Sequence, residues 1–145
     1  MRLYLSGPMR GYEDFNFPAF HKNAALLRAM GHEVFSPAEK DEEQFGGAVF
    51  KGKVEIQEIK AAAVGFDLRK ALLMDLEYIC TRAEGICLLP GWEKSSGATA
   101  ESATARALGL KRYIQNEEGW VEINPNGGLA IPVGSSNVSY LPSLH

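Results

Sequence analysis

Two carboxylates, a tyrosine and a run of small polar residues carry the chemical signals of this 145-residue chain. Glu101 closes the run Ser95-Ser96-Gly97-Ala98-Thr99-Ala100-Glu101, downstream of an apolar stretch at 85–89 that stops at Pro90-Gly91. An apolar strand, a small-residue loop and a helix start form the arrangement in which open α/β sheets bind ligands. The N–H groups of a first helical turn favour an anion such as a phosphate. Glu101 is expected in or just before that turn, beside whatever Ser95, Ser96 and Gly97 hold. Asp75 falls on a helical stripe with Leu68, Leu72, Leu76 and Ile79. A carboxylate there is costly unless it is paired or faces a cleft. Tyr4 lies in a first strand, at 2–5, that opens through Ser6-Gly7-Pro8 onto a loop carrying Arg10. Each signal also has a plainer reading. Glu101 could simply favour a helix start, worth about 0.3–1 kcal/mol. Asp75 could be a half-exposed flank acid, Tyr4 a core aromatic of an edge strand, and the serines an ordinary cap.

The elements that must position these residues follow from periodicity and punctuation. After the first strand and the 9–16 loop, Asn16 or Asp14 is placed to cap a helix with Pro18 in its first turn. Phe20, Ala24 and Leu27 form its stripe, and Gly31 ends it. A short second strand follows at 32–37, completing a βαβ unit. Residues 38–65 hold a charged cluster at 40–44, a Gly-rich stretch and a helix candidate at 54–64. They are expected to form a surface excursion, with an insertion or lid at about 40–64 as the alternative. Asp67 caps the helix that bears Asp75, and the strand at 85–89 precedes a helix from about 99 to 108 that Gly109 stops. A further strand is expected at 111–114. The main domain is taken to span 1–120. The remaining 121–145, with a strand-like piece at 129–131, reads as a tail, partly disordered or used between subunits.

Composition bounds the function classes. With 46% hydrophobic and 23% charged residues, the chain is a soluble globular domain in type. A net charge of −3 gives nucleic acid and anionic membranes no attraction, while leaving room for a small anionic ligand. Two cysteines, Cys80 and Cys87, read as small buried apolar groups, too few for a disulfide scaffold or metal cluster. A strand-like segment directly after Met1 and the lack of long apolar runs lead to the expectation of a cytoplasmic protein without signal peptide or membrane span.

Taken together, Tyr-Leu-Ser-Gly-Pro-Met-Arg-Gly at 4–11, Asp75-Leu76-Glu77, the strand at 85–89 and Ser96-Gly97-Ala98-Thr99-Ala100-Glu101 resemble the nucleoside 2-deoxyribosyltransferase superfamily, which includes the deoxynucleoside 5′-monophosphate N-glycosidases. The stretch 89–98, Leu-Pro-Gly-Trp-Glu-x-Ser-x-Gly-Ala, is similar to a small family frequent in phages and bacteria and without a settled function. The resemblance covers about residues 2–115. It implies a flavodoxin-like or Rossmann-like three-layer α/β sandwich with a mainly parallel sheet. It also implies cleavage of the N-glycosidic bond of a deoxynucleoside or its 5′-monophosphate, without metal or other cofactor, in a homo-oligomer of two or more chains.

On that resemblance Glu101 is the nucleophile, Asp75 the acid that contacts and helps protonate the leaving base, and Tyr4 the group that orients Glu101. Ser6, Gly7, Pro8 and Arg10 surround the nucleotide, and Gly91, Ser95, Ser96 and Gly97 hold the sugar or a 5′-phosphate. Trp92 either covers the ligand or packs into its own loop. Glu84 stands where the superfamily often has an aspartate, and 40–64 has no aligned counterpart. Two rivals stay open: a nucleotide-binding or sensing module without turnover, and a glycohydrolase of a nicotinamide dinucleotide or cyclic nucleotide signal.

Overall fold

Alternating apolar residues make the first strand two-faced. The computed structural model describes residues 1–123 and 139–145. In it β1 (Arg2–Ser6) sends Leu3 and Leu5 into one hydrophobic core and Tyr4 into another. The same division runs through β3 (Gly85–Leu88), where Cys87 joins the first core and Ile86 and Leu88 join the second. β2 (Glu33–Phe35), β4 (Lys111–Asn116) and β5 (Gly119–Glu122) complete one sheet in the order β2-β1-β3-β4-β5. The first four strands are parallel, and β5 pairs antiparallel to β4. This is a mostly parallel α/β sandwich of the flavodoxin- or Rossmann-like kind. Its switch point lies between β1 and β3, where such sheets hold ligands beyond the strands' carboxyl ends. Tyr4 is therefore not on an edge strand, since β1 pairs on both sides.

One face is covered by α1 (Phe17–Ala29), whose Phe20, Ala24 and Leu27 are fully buried. Each such burial of a large apolar side chain stabilises by about 1.5–3 kcal/mol. The other face is covered by α4 (Leu68–Thr81) and α5 (Ser96–Ala107), which meet the sheet through Ile79 and Ala105. Asp67 caps α4, its carboxylate accepting from Arg69 N and Lys70 N. α5 begins earlier than the Ala-rich pattern suggests. Ser95 is its N-cap, with Oγ accepting from Ala98 N at 3.2 Å, so Ser96 and Gly97 lie inside the helix. Glu101 then falls in the second turn rather than at the first. Ser95→Ala is expected to cost about 1 kcal/mol in chemical denaturation, and an unchanged midpoint would remove Ser95 from the cap.

Other expectations need correction. Asn16 occupies the position before α1 but makes no cap. Its amide donates to Pro8 O at 2.9 Å, and Asp14 accepts from Gly52 N at 2.7 Å. Cys80 is exposed, because its helix turns that side to solvent, whereas Cys87 is buried and its thiol is pushed up by desolvation. Residues 38–65 are largely exposed from 51 onward, but they are helical and anchored rather than a plain loop. They form α2 (Pro37–Phe45), two short 3-10 turns and α3 (Gln57–Ala63), with Phe50 and Gln57 buried. Gly119, read as punctuation, opens β5. The strand-like piece at 129–131 lies outside the described residues. Residues 139–145 fold back on the body: Leu141 N donates to Trp120 O, Leu144 N to Met30 O, and His32 Nε2 to Pro142 O.

Candidate active site

The alternation of β1 decides where the site lies. Tyr4 and Ser6 share the face covered by α4 and α5, and both hydroxyls reach Glu101. Tyr4 donates to Oε2 and Ser6 Oγ to Oε1, each at 2.7 Å. Glu101 is 6% exposed, and each of its oxygens accepts one of these two bonds. Burial pushes its carboxyl up to about 7, against the pull of the Ser6 and Tyr4 hydrogen bonds, with Asp75 adding to the rise and Lys40 opposing it. The Tyr4 hydroxyl is raised well above its usual value, first by burial and then by the Glu101 and Asp75 charges, so it stays a donor. Its ring is fixed by stacking on Phe35 with centroids 5.7 Å apart.

Asp75 faces the same cavity from α4. Its Oδ1 accepts from Lys40 Nζ of α2 at 2.7 Å, in a pair whose side chains are only 10% and 11% exposed. Burial raises the Asp75 carboxyl, and Lys40 and Tyr4 pull it back. Asp41, next on α2, turns into the cavity as well. Desolvation lifts it to about 6, opposed by Lys40 and assisted by Asp75. Lys40 and Asp41 stand in a charged cluster whose meaning the linear pattern hides. The legible signal was Ser36-Pro37, an extended residue before a helix-starting proline. With the helix placed from Pro37, Ala38 and Asp41 fall three apart on one face, and both are buried.

The cavity has a volume of about 660 Å³, within the range of small-molecule sites. Tyr4, Asp75 and Glu101 line it together with Gly7, Arg10, Ser95, Ser96 and Gly97. Phe15, Phe17, Phe50 and Phe66, in ring contact with one another, give it an aromatic wall, Phe17 stacked on Phe50 at 4.7 Å. Gly7 is required by close approach, since a Cβ there would meet Leu89 Cβ at 2.7 Å. Gly97 is the reverse case: a Cβ would meet nothing within 4 Å, which leaves backbone open to a ligand. The Ser96 and Gly97 N–H groups belong to a first turn, where no intrahelical acceptor exists, and suit an anionic oxygen. Arg10 and Lys94 add positive charge to the cavity wall, opposed by Glu55 and Glu58.

The remaining expected residues sit in supporting positions. Pro8 is buried behind the first loop, and Gly91 takes φ +88, where a Cβ would lie 2.6 Å from the Tyr12 hydroxyl. Trp92, on a short 3-10 turn, packs against the second core. The loop after β1 is clamped to the 47–57 segment. Gln57 accepts from Gly11 N and donates to Tyr12 O, while Asp14 N donates to Gly52 O. These bonds hold Asp14, Phe15 and Asn16 in the left-handed region, φ 53, 53 and 61. Such strain costs on the order of 1–3 kcal/mol per residue, and it persists where surrounding structure over-determines it. Among the described residues no group of three or more His, Cys, Asp or Glu could hold a metal ion, and no helix is long and apolar enough to cross a membrane.

A family model described as a domain of unknown function, DUF4406, matches residues 1–113. The chain belongs to that family. No curated protein matches it. The DUF4406 match runs from β1 into β4 and so contains Tyr4, Ser6, Asp75, Glu101 and the α2 residues Lys40 and Asp41. The region matched by the DUF4406 model therefore contains Asp41, Asp75 and Glu101, three carboxylates that line one cavity.

Proposed function

We propose that this protein cleaves the N-glycosidic bond of a deoxynucleoside or deoxynucleoside 5′-monophosphate, with Glu101 as the nucleophile. The observation that carries this reading is the Glu101 carboxylate fixed by two hydroxyls at a cavity wall, beside an open helix N-terminus. The resemblance of the 4–11 and 96–101 segments to the nucleoside 2-deoxyribosyltransferase superfamily supports it. With the sugar phosphate against Ser95, Ser96 and Gly97, the anomeric carbon would lie toward Glu101. A carboxylate there stabilises an oxocarbenium-like transition state and captures it as a glycosyl ester, as in retaining glycosidases. Tyr4 and Ser6 keep the attacking oxygens aimed, the Asp75–Lys40 pair faces the base, and the aromatic wall supplies stacking surface. Water or a second base then takes the sugar, giving hydrolysis or transfer. A cytoplasmic homo-oligomer fits this reading.

The test is incubation of the wild type with a panel of deoxynucleosides and their 5′-monophosphates, following free base by chromatography. Base release is expected, and added second base distinguishes transfer from hydrolysis. No release from any substrate, with thermal stabilisation by the same nucleotides, would sink the enzyme and favour a nucleotide-binding module.

A further inference from the structure

Asp41 faces the cavity with one buried carboxylate oxygen left without a hydrogen-bond donor among the described residues. Its side chain is 7% exposed, and the oxygen is Oδ1. Lys40 Nζ lies 3.8 Å from that oxygen, past hydrogen-bonding distance. The same ammonium donates to Asp75 Oδ1 at 2.7 Å and to Ala71 O at 3.3 Å. One buried cation therefore serves two buried carboxylates, and only Asp75 is bonded to it. When two carboxylates compete in a dry site, the better-bonded one keeps its charge and the other takes the proton. A buried acceptor without a donor is costly, and a proton or a ligand N–H relieves it.

We propose that Asp41, rather than Asp75, delivers the proton to the departing base, while Asp75 stays a fixed carboxylate held by Lys40. This inference rests on the glycosidase reading above. In the step, a Glu101 oxygen forms a bond to the anomeric carbon as the bond from that carbon to the base nitrogen breaks. The bonding pair goes to the base, which takes the proton from Asp41. Asp41 is left as a carboxylate near Lys40. In hydrolysis, water then attacks the anomeric carbon, gives its proton to Asp41 and releases Glu101 as a carboxylate. Burial, which lifts Asp41 to about 6, suits it to exchange protons near neutral pH. Asp75 is disfavoured because protonating it would strip the buried ammonium of its hydrogen-bonded counter-charge.

The test compares two leaving groups on one sugar: a base from the panel, and 4-nitrophenolate, which departs without a proton. Asp41→Asn keeps size and loses no hydrogen bond at Oδ1, and its folding is checked by thermal melting. Its kcat/KM, which reads the bond-breaking step alone, is expected to fall about 100-fold or more on the nucleoside and to change little on the nitrophenyl deoxyriboside. Asp75→Asn is expected to lose activity on both alike. Equal losses for Asp41→Asn on the two substrates, or a nucleoside-selective loss for Asp75→Asn instead, would overturn the inference while the glycosidase reading stands. A wild type that cleaves neither substrate overturns both.

Discussion

Glu101→Gln is expected to abolish base release, by at least about 10⁴-fold in kcat, while nucleotide binding is retained. The amide keeps the shape and still meets the Tyr4 and Ser6 hydroxyls, but it cannot form the glycosyl ester. The same variant has a second, independent signature in stability. Burial holds the folded carboxyl at about 7, above the ordinary glutamate value of 4.5. Between those values the folded state binds more protons than the unfolded chain, so the wild type loses stability as pH rises from about 4.5 to about 7. The cost above pH 7 is about 3 kcal/mol for a shift of this size. Glu101→Gln escapes it and should be more stable than the wild type at pH 8, with the advantage fading toward pH 4. Denaturation curves at the two pH values check this. A variant less stable than wild type at pH 8 would mean the carboxylate is well solvated or better paired than its geometry shows. Wild-type kcat/KM should peak between about pH 6 and about pH 7, falling on the acid side as Glu101 takes up a proton and on the alkaline side as Asp41 loses its own.

Lys40→Met carries the largest expected loss of stability, about 3–5 kcal/mol at pH 7. Lys40 and Asp75 form a nearly dry ion pair across α2 and α4, and Lys40 also screens Asp41. Removing the ammonium leaves Asp75 without its cation, so its folded pKa moves further above the ordinary carboxylate value. A carboxyl raised in the folded state costs stability above its unfolded pKa, so the deficit is smallest below about pH 4 and grows toward neutrality. The double variant Lys40→Met with Asp75→Asn should recover much of the loss, because the orphaned charge is gone. A deficit independent of pH, or a double variant as unstable as the single, would show that Lys40 acts through packing of its stem rather than through charge.

The residues themselves determined much of this. β1 was legible because Leu3, Tyr4 and Leu5 stop at Ser6-Gly7-Pro8, and α1 because Phe20, Ala24 and Leu27 recur at helical spacing before Gly31. Asp67 capped the helix expected of it, and Asp75 on that helix's apolar stripe announced a carboxylate in need of a partner. These signals are local, set by backbone propensity and by which side of one element faces the core. The tertiary structure decided what lies between elements. Lys40 and Asp41 read as a solvated charge cluster until α2 folds against α4 and desolvates them. The start of α5 depended on Ser95 bonding Ala98 N, which the Ala-rich pattern starting further along concealed. β5 needed β4 as a template, since Gly119–Glu122 is too short to declare itself. Pairing energy and desolvation arise only when segments distant in the chain meet, and the partner that sets the state of Asp75 lies 35 residues away.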